Sequence, residues 1–116
     1  HTFEDKKNGA MGIIGLETSL GLILSEIVNK GILSLTDAIR KMSYNPALIF
    51  GINGGRLSIG MPADITIIDP DNKWIVNTNQ FESKSKNCPF QGFSLIGKAD
   101  ATIINGKFVM KDGKLC

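Results

Sequence analysis

Leu16, Leu20, Ile23, Leu24, Ile27 and Val28 stand at i, i+4, i+7, i+8, i+11 and i+12, one apolar stripe that predicts a helix from about Leu16 to Asn29. Gly31 follows, where a left-handed C-terminal cap favours a residue without a β-carbon. Ser34 reads as the N-cap of a second helix, with Asp37 completing a variant of the capping box and Leu35, Ala38, Ile39 and Met42 keeping its stripe. "NPALIFG" predicts a short third helix, with Asn45 as cap, Pro46 at the first helical position and Gly51 past the end.

Near Gly51 the period changes from 3.6 to 2. "PADITIID" alternates as a strand does, and "KWIVN" reads as a second, separate short strand. Asn105-Gly106 lies between two β-rich runs, the strongest short hairpin signal, and Asp112-Gly113 repeats that turn chemistry. Helices come first and strands second. The helical stripes read as the outer layer of a larger body whose inner layer this chain does not carry.

The bulk numbers fit one small domain or two half-domains: 116 residues, 42% hydrophobic and 21% charged. A net charge of +2 gives no electrostatic reason to expect nucleic acid or an anionic membrane as partner. No apolar run approaches the ~20 residues of a membrane span. The first residues show no basic region followed by an apolar one, so the expected compartment is the cytoplasm. Cys88 and Cys116 are expected to be free thiols, and with a single His they form no metal-binding spacing.

Four segments, in order, carry a resemblance. "GRLSIGMPADITIID" (55–69) and "ADATIINGKFVMKDGKL" (99–115) together resemble the C-terminal β-domain of the amidohydrolase superfamily. "SKSKNCPFQG" (83–92) and "GIIGLET" (12–18) resemble segments of dihydroorotases of the longer bacterial type, with Cys88 where Thr is usual and Met11 where Phe is usual. The opening "HT", followed by charged residues, resembles the continuation of that family's Asp-His-Ala-Pro motif.

The resemblance implies an α/β fold: the C-terminal end of a (β/α)8 TIM barrel, represented by outer helices, followed by a small, mostly antiparallel β-sandwich. It implies a division at residues 1–53 (active-site loop and terminal barrel helices) and 54–116 (part of the composite sandwich). The chain would then begin just after the eighth barrel strand. Members of the family reversibly hydrolyse dihydroorotate to N-carbamoyl-L-aspartate in de novo pyrimidine synthesis, through a zinc-bound hydroxide and a proton-shuttling Asp.

The resemblance places that Asp and the metal ligands upstream, so no catalytic or metal-ligating residue is expected here. Substrate contacts are expected from His1, to the carboxylate, and from the Met11-Gly12 backbone, to the ring. Zinc belongs to the intact enzyme. The implied partners are the remaining barrel, a second subunit in a homodimer, and aspartate transcarbamoylase. Three rivals stay open: a hydantoinase or allantoinase, a non-catalytic dihydroorotase-like subunit, and a stand-alone binding module.

Among the other charged and aromatic residues, Glu17 is expected to serve the helix N-terminus. Lys84 and Lys86 are expected to be solvated, Asp64 and Asp69 to serve turns and strand ends, and Trp74 and Phe90 to pack.

Overall fold

A computed structural model describes residues 12–116. Helix α1 (Leu16–Ile23) runs on into a π-helical turn, Leu24–Val28, in which the Asn29 amide donates to the Leu24 carbonyl, five residues back. Helix α2 (Leu35–Ile39), a second π turn (Arg40–Tyr44) and α3 (Asn45–Phe50) form one continuous helical stretch. Strands β1 (Ile65–Ile75), β2 (Ser94–Ile104), β3 (Lys107–Lys111) and β4 (Lys114–Leu115) make a four-stranded antiparallel sheet in chain order. A single 3₁₀ turn, Thr78–Gln80, lies between β1 and β2.

Helix caps follow from local chemistry. The Ser34 hydroxyl accepts the Asp37 amide at 3.1 Å, which satisfies one of the donors a helix start leaves unpaired. Gly51 closes the third helix in the left-handed region, φ 66°. Asn45 does not cap. Tyr44 before it is already helical (φ −63°, ψ −51°), and no side chain caps that position. The Asn45 amide instead donates to the Arg40 carbonyl, five residues back. The wide turn lies just before Pro46, which has no amide to offer the helix.

The two strands read separately as "PADITIID" and "KWIVN" are one strand, β1, interrupted by an irregularity between Asp69 and Lys73. There Pro70 lacks a donor, and the Asp69 carboxylate accepts the Asp71 amide at 3.0 Å in place of the ladder. Among the described residues strand β1 pairs on one side only, the position where a proline inside a strand is tolerated.

Both tight hairpins form as the sequence predicts. Asn105 (φ 50°) and Gly106 (φ 76°) join β2 to β3, and Asp112 (φ 52°) and Gly113 (φ 76°) join β3 to β4. Positive φ at both central positions is the signature of the turn whose twist matches paired strands.

The core sits between the first helix and β2. Val76, Cys88 and Leu95 are buried together, with Ile14, Leu22, Trp74, Phe81 and Phe90 packed around them. The helix face turned to the sheet overlaps the apolar stripe only in part. Thr18, Gly21, Leu24 and Ser25 are buried, whereas Leu16 is 94% exposed. Around Leu24 this face is built of small residues, which permit a close approach. A β-carbon on Gly97 would lie 2.4 Å from Leu24 Cδ1, and one on Gly21 would lie 2.9 Å from Trp74 Cζ2. The Ser25 hydroxyl accepts the Ile96 amide at 2.7 Å and donates to the Ile96 carbonyl at 3.1 Å. Trp74 Nε1 donates to the Gly97 carbonyl at 2.9 Å.

Candidate functional site

Of the three expected substrate contacts, His1 and Met11 lie outside the described residues. Gly12 is exposed, with φ 78°. That angle is strained for any residue with a β-carbon, and among the described residues nothing stands within 4 Å of where the β-carbon would be. Gly12 is therefore open, among the described residues, on the side where a side chain would stand.

Gly12 leads into a segment held at two points by the loop that follows the 3₁₀ turn. The Ile14 amide donates to the Asn87 carbonyl at 3.0 Å. The Glu17 carboxylate spans two consecutive amides, accepting from Glu82 N at 3.2 Å through Oε2 and from Ser83 N at 3.0 Å through Oε1. The Thr18 hydroxyl, buried beneath, donates to the Gly15 carbonyl at 3.3 Å. An open cavity of about 630 Å³ lies between the two segments, walled by Ile13, Leu16, Glu17 and Phe81 among others.

The loop is braced from within. Lys86 Nζ donates to the Phe81 carbonyl at 2.9 Å, so Lys86 closes the loop and is more than a solvated charge. The Ser85 hydroxyl accepts the Asn87 amide at 3.2 Å. Cys88 then enters the core as a free buried thiol, and Phe90 meets Phe93 edge to face with ring centroids 5.5 Å apart.

The four segments singled out in the sequence thus pair two by two. "GIIGLET" is bonded to "SKSKNCPFQG" through Ile14–Asn87 and Glu17–Ser83. "PADITIID" is bonded to the Asn105-Gly106 turn: Asp64 Oδ1 accepts the Asn105 amide at 2.8 Å and the Ala63 carbonyl accepts the Gly106 amide at 3.0 Å. The first pair brings Gly12, Glu17 and the loop together.

The family model described as "Amidohydrolase family" matches residues 5–109. The chain belongs to the amidohydrolase family. It is 48% identical over 102 residues to a dihydroorotase of Chlorobaculum tepidum, covering 88% of this chain and 23% of that protein. It is 42% identical over 111 residues to a dihydroorotase of Clostridium botulinum, covering 96% of this chain and 28% of that protein. Among solved structures, the L-hydantoinase (dihydropyrimidinase) from Arthrobacter aurescens superposes with a TM-score of 0.89 at 38% identity, over 100% of this chain and 28% of that one. This amidohydrolase chain therefore spans about a quarter of the length of the curated relatives it matches.

The described residues of this amidohydrolase do not fit a metal centre: among them no group of three or more His, Cys, Asp and Glu could hold an ion. The one His of the sequence is His1. Among the described residues no helix is long and apolar enough to cross a membrane.

The long-range connections of Glu17 and Ser25 are ones that sequence reasoning missed. Their partners lie 65 to 71 residues away, so no local spacing marks them.

Proposed function

We propose that this chain is the C-terminal part of a dihydroorotase, which reversibly hydrolyses the cyclic amide of dihydroorotate to N-carbamoyl-L-aspartate in de novo pyrimidine synthesis. The observation that carries the reading is the 42–48% identity to dihydroorotases across 88–96% of the chain. In this reading residues 1–53 are the active-site loop and outer terminal helices of a TIM barrel. Residues 54–116 belong to the composite β-sandwich. The catalytic Asp and the ligands of zinc lie outside this chain, and the described residues here offer none.

The apolar surface left open by the fold supports the barrel placement. Leu16, Leu48, Ile49, Phe50 and Ile52 are between 58% and 94% exposed. They lie along the helices and their exits, and the remainder of the barrel is the occupant we assign to them. Burying a side chain of this size contributes about 1.5–3 kcal/mol.

The role of this chain is contact with substrate. His1 binds the dihydroorotate carboxylate and the Met11-Gly12 backbone hydrogen-bonds the ring. The bare peptide at Gly12 suits that role, because a backbone group approaches a ligand closely where no side chain intervenes. The intact enzyme acts in the cytoplasm as a homodimer, in association with aspartate transcarbamoylase.

Similarity to the L-hydantoinase favours a second reading, a hydantoinase-type cyclic amidohydrolase. Steady-state assays of the full-length protein on dihydroorotate and on hydantoin decide between them. Turnover of dihydroorotate is expected. Turnover of hydantoin alone would establish the second reading. Turnover of neither, with retained binding to aspartate transcarbamoylase, would indicate a non-catalytic subunit.

A further inference from the structure

We infer that Glu17 is a positioning residue, whose carboxylate clamps the Phe81–Asn87 loop to the Gly12–Gly15 segment and so fixes where the Gly12 backbone meets substrate. The inference rests on the reading of Gly12 as a substrate contact. A glutamate in the first turn of a helix ordinarily complements the helix dipole or the free amides of its own helix start. Glu17 stands in that first turn and does something more. Each of its oxygens accepts one of two consecutive amides from a distant loop, Glu82 at 3.2 Å and Ser83 at 3.0 Å. Neither amide has a partner within its own loop of the kind that Ser85 provides for Asn87.

The Ile14–Asn87 bond is the second end of the same clamp. Together the bonds tie the loop to the chain on the C-terminal side of Gly12, at residues 14 and 17. Gly12 itself lies only two residues from the nearer tie. Among the described residues nothing stands within 4 Å in the direction of its missing β-carbon. On its C-terminal side its position is tied to the chain that Glu17 and Asn87 anchor. The carboxylate is suited to this role because its two charged oxygens can each take one donor. In Glu17→Gln one of the two positions carries an NH₂ group, which meets an amide donor head on.

The test compares full-length wild type with Glu17→Gln, Glu17→Asp and the control Glu26→Gln, whose residue pairs only with Lys30 on the helix surface. Three readouts are taken: KM and kcat for dihydroorotate, thermal midpoint, and backbone hydrogen exchange at Ile14, Glu82 and Ser83. Glu17→Gln is expected to raise KM roughly three- to tenfold, the scale of one exposed charge-assisted hydrogen bond, and to leave kcat within about twofold. Exchange at the three amides accelerates, and Glu26→Gln changes nothing. Glu17→Asp keeps the charge with a shorter reach and falls between the two, which keeps the test open if Glu17→Gln fails to fold.

Unchanged KM, unchanged exchange, or a fall in kcat and thermal midpoint without a rise in KM would each overturn the inference. Failure of the wild type to turn over dihydroorotate would sink the functional reading separately. The same KM comparison is then made with hydantoin, and exchange at Glu82 and Ser83 still decides whether Glu17 clamps the loop.

Discussion

Asp64 and Asn105 are 41 residues apart in sequence, yet the Asp64 carboxylate accepts the Asn105 amide at 2.8 Å. The acceptor stands just before the first strand and the donor sits in the hairpin turn between the second and third. With the Ala63–Gly106 bond alongside, this clip fastens the turn to the start of β1 and sets the register Ile65 to Ile103.

Asp64→Ala is therefore expected to lower stability by about 1 kcal/mol, the net value of one hydrogen bond at an exposed site. Asp64→Asn, which keeps an acceptor oxygen, loses less. Chemical denaturation of both variants in the full-length protein checks the order, and no loss in Asp64→Ala would show that the carboxylate is incidental to the clip.

Ser25→Ala removes a hydroxyl that serves both the amide and the carbonyl of Ile96. Ser25 is buried, so two polar groups lose their partner without ready access to water. The expected loss is about 1–3 kcal/mol, read as a drop in the denaturation midpoint. A loss below about 0.5 kcal/mol, the size typical of surface substitutions, would mean that water replaces the hydroxyl.

Gly97→Ala is expected to be the most damaging single methyl addition in the sheet. Its β-carbon would stand 2.4 Å and 2.8 Å from two atoms of Leu24, at φ 106°. Overpacking of this kind costs about 1–3 kcal/mol, and the backbone angle adds strain of order 1–3 kcal/mol. Soluble yield and thermal midpoint measure it. The paired substitution Leu24→Ala should relieve the contacts with Cδ1 and Cγ only, because the Leu24 β-carbon at 2.8 Å remains.

Under the proposed function, His1→Ala in the full-length enzyme weakens dihydroorotate binding and leaves zinc content unchanged. The substrate carboxylate loses a charge-assisted hydrogen bond of about 1.5–3 kcal/mol. Metal analysis beside steady-state kinetics checks this. Zinc loss with unchanged KM would make His1 a ligand instead.

Residues 1–116 expressed alone are expected to show no dihydroorotate turnover with added zinc and no sharp unfolding transition. The described residues hold no metal-binding cluster, and large side chains such as Leu16, Phe50 and Ile52 remain open to solvent. Several exposed aliphatics, at about 1.5–3 kcal/mol each, weigh heavily against a typical stability of about 5–15 kcal/mol. Activity assays and calorimetry of the isolated chain decide it. Zinc-dependent turnover or one cooperative transition from a monomer would overturn the expectation.

Elements governed by local chemistry were legible from the residues. Ser34 caps because a short hydroxyl side chain reaches the Asp37 amide, and Asn105-Gly106 turns because those two residue types accept positive φ. Reading failed where a local rule met a continuing chain. Asn45-Pro46 has the signature of a helix start, but the helix was already running and absorbed the proline with a π turn. The stripe from Leu16 to Val28 marked the helix but not which of its residues meet the sheet. Apolar period reports which side avoids water, whereas the close fit brings Leu24 of the stripe against Gly97 and the small Gly21 against Trp74. In the site, the resemblance singled out Gly12, whereas Glu17 was visible only as helix-start chemistry. Its bonds to Glu82 and Ser83 exist only after the chain has folded.

The spacing of these bonds along the chain also orders assembly. The β2–β3–β4 meander closes through two-residue turns, so it can form on the microsecond scale of isolated hairpins. Pairing of β1 with β2 must wait for the longer segment between them to close. Docking of the first helix, through Ser25 and Ile96 at a separation of 71 residues, incurs the largest loop-closure entropy of the three steps. The helix is thus expected to join last and to leave first on local unfolding, with amide exchange faster in the helix than in β2. The segment that leads from Gly12 into the helix is expected to open with it.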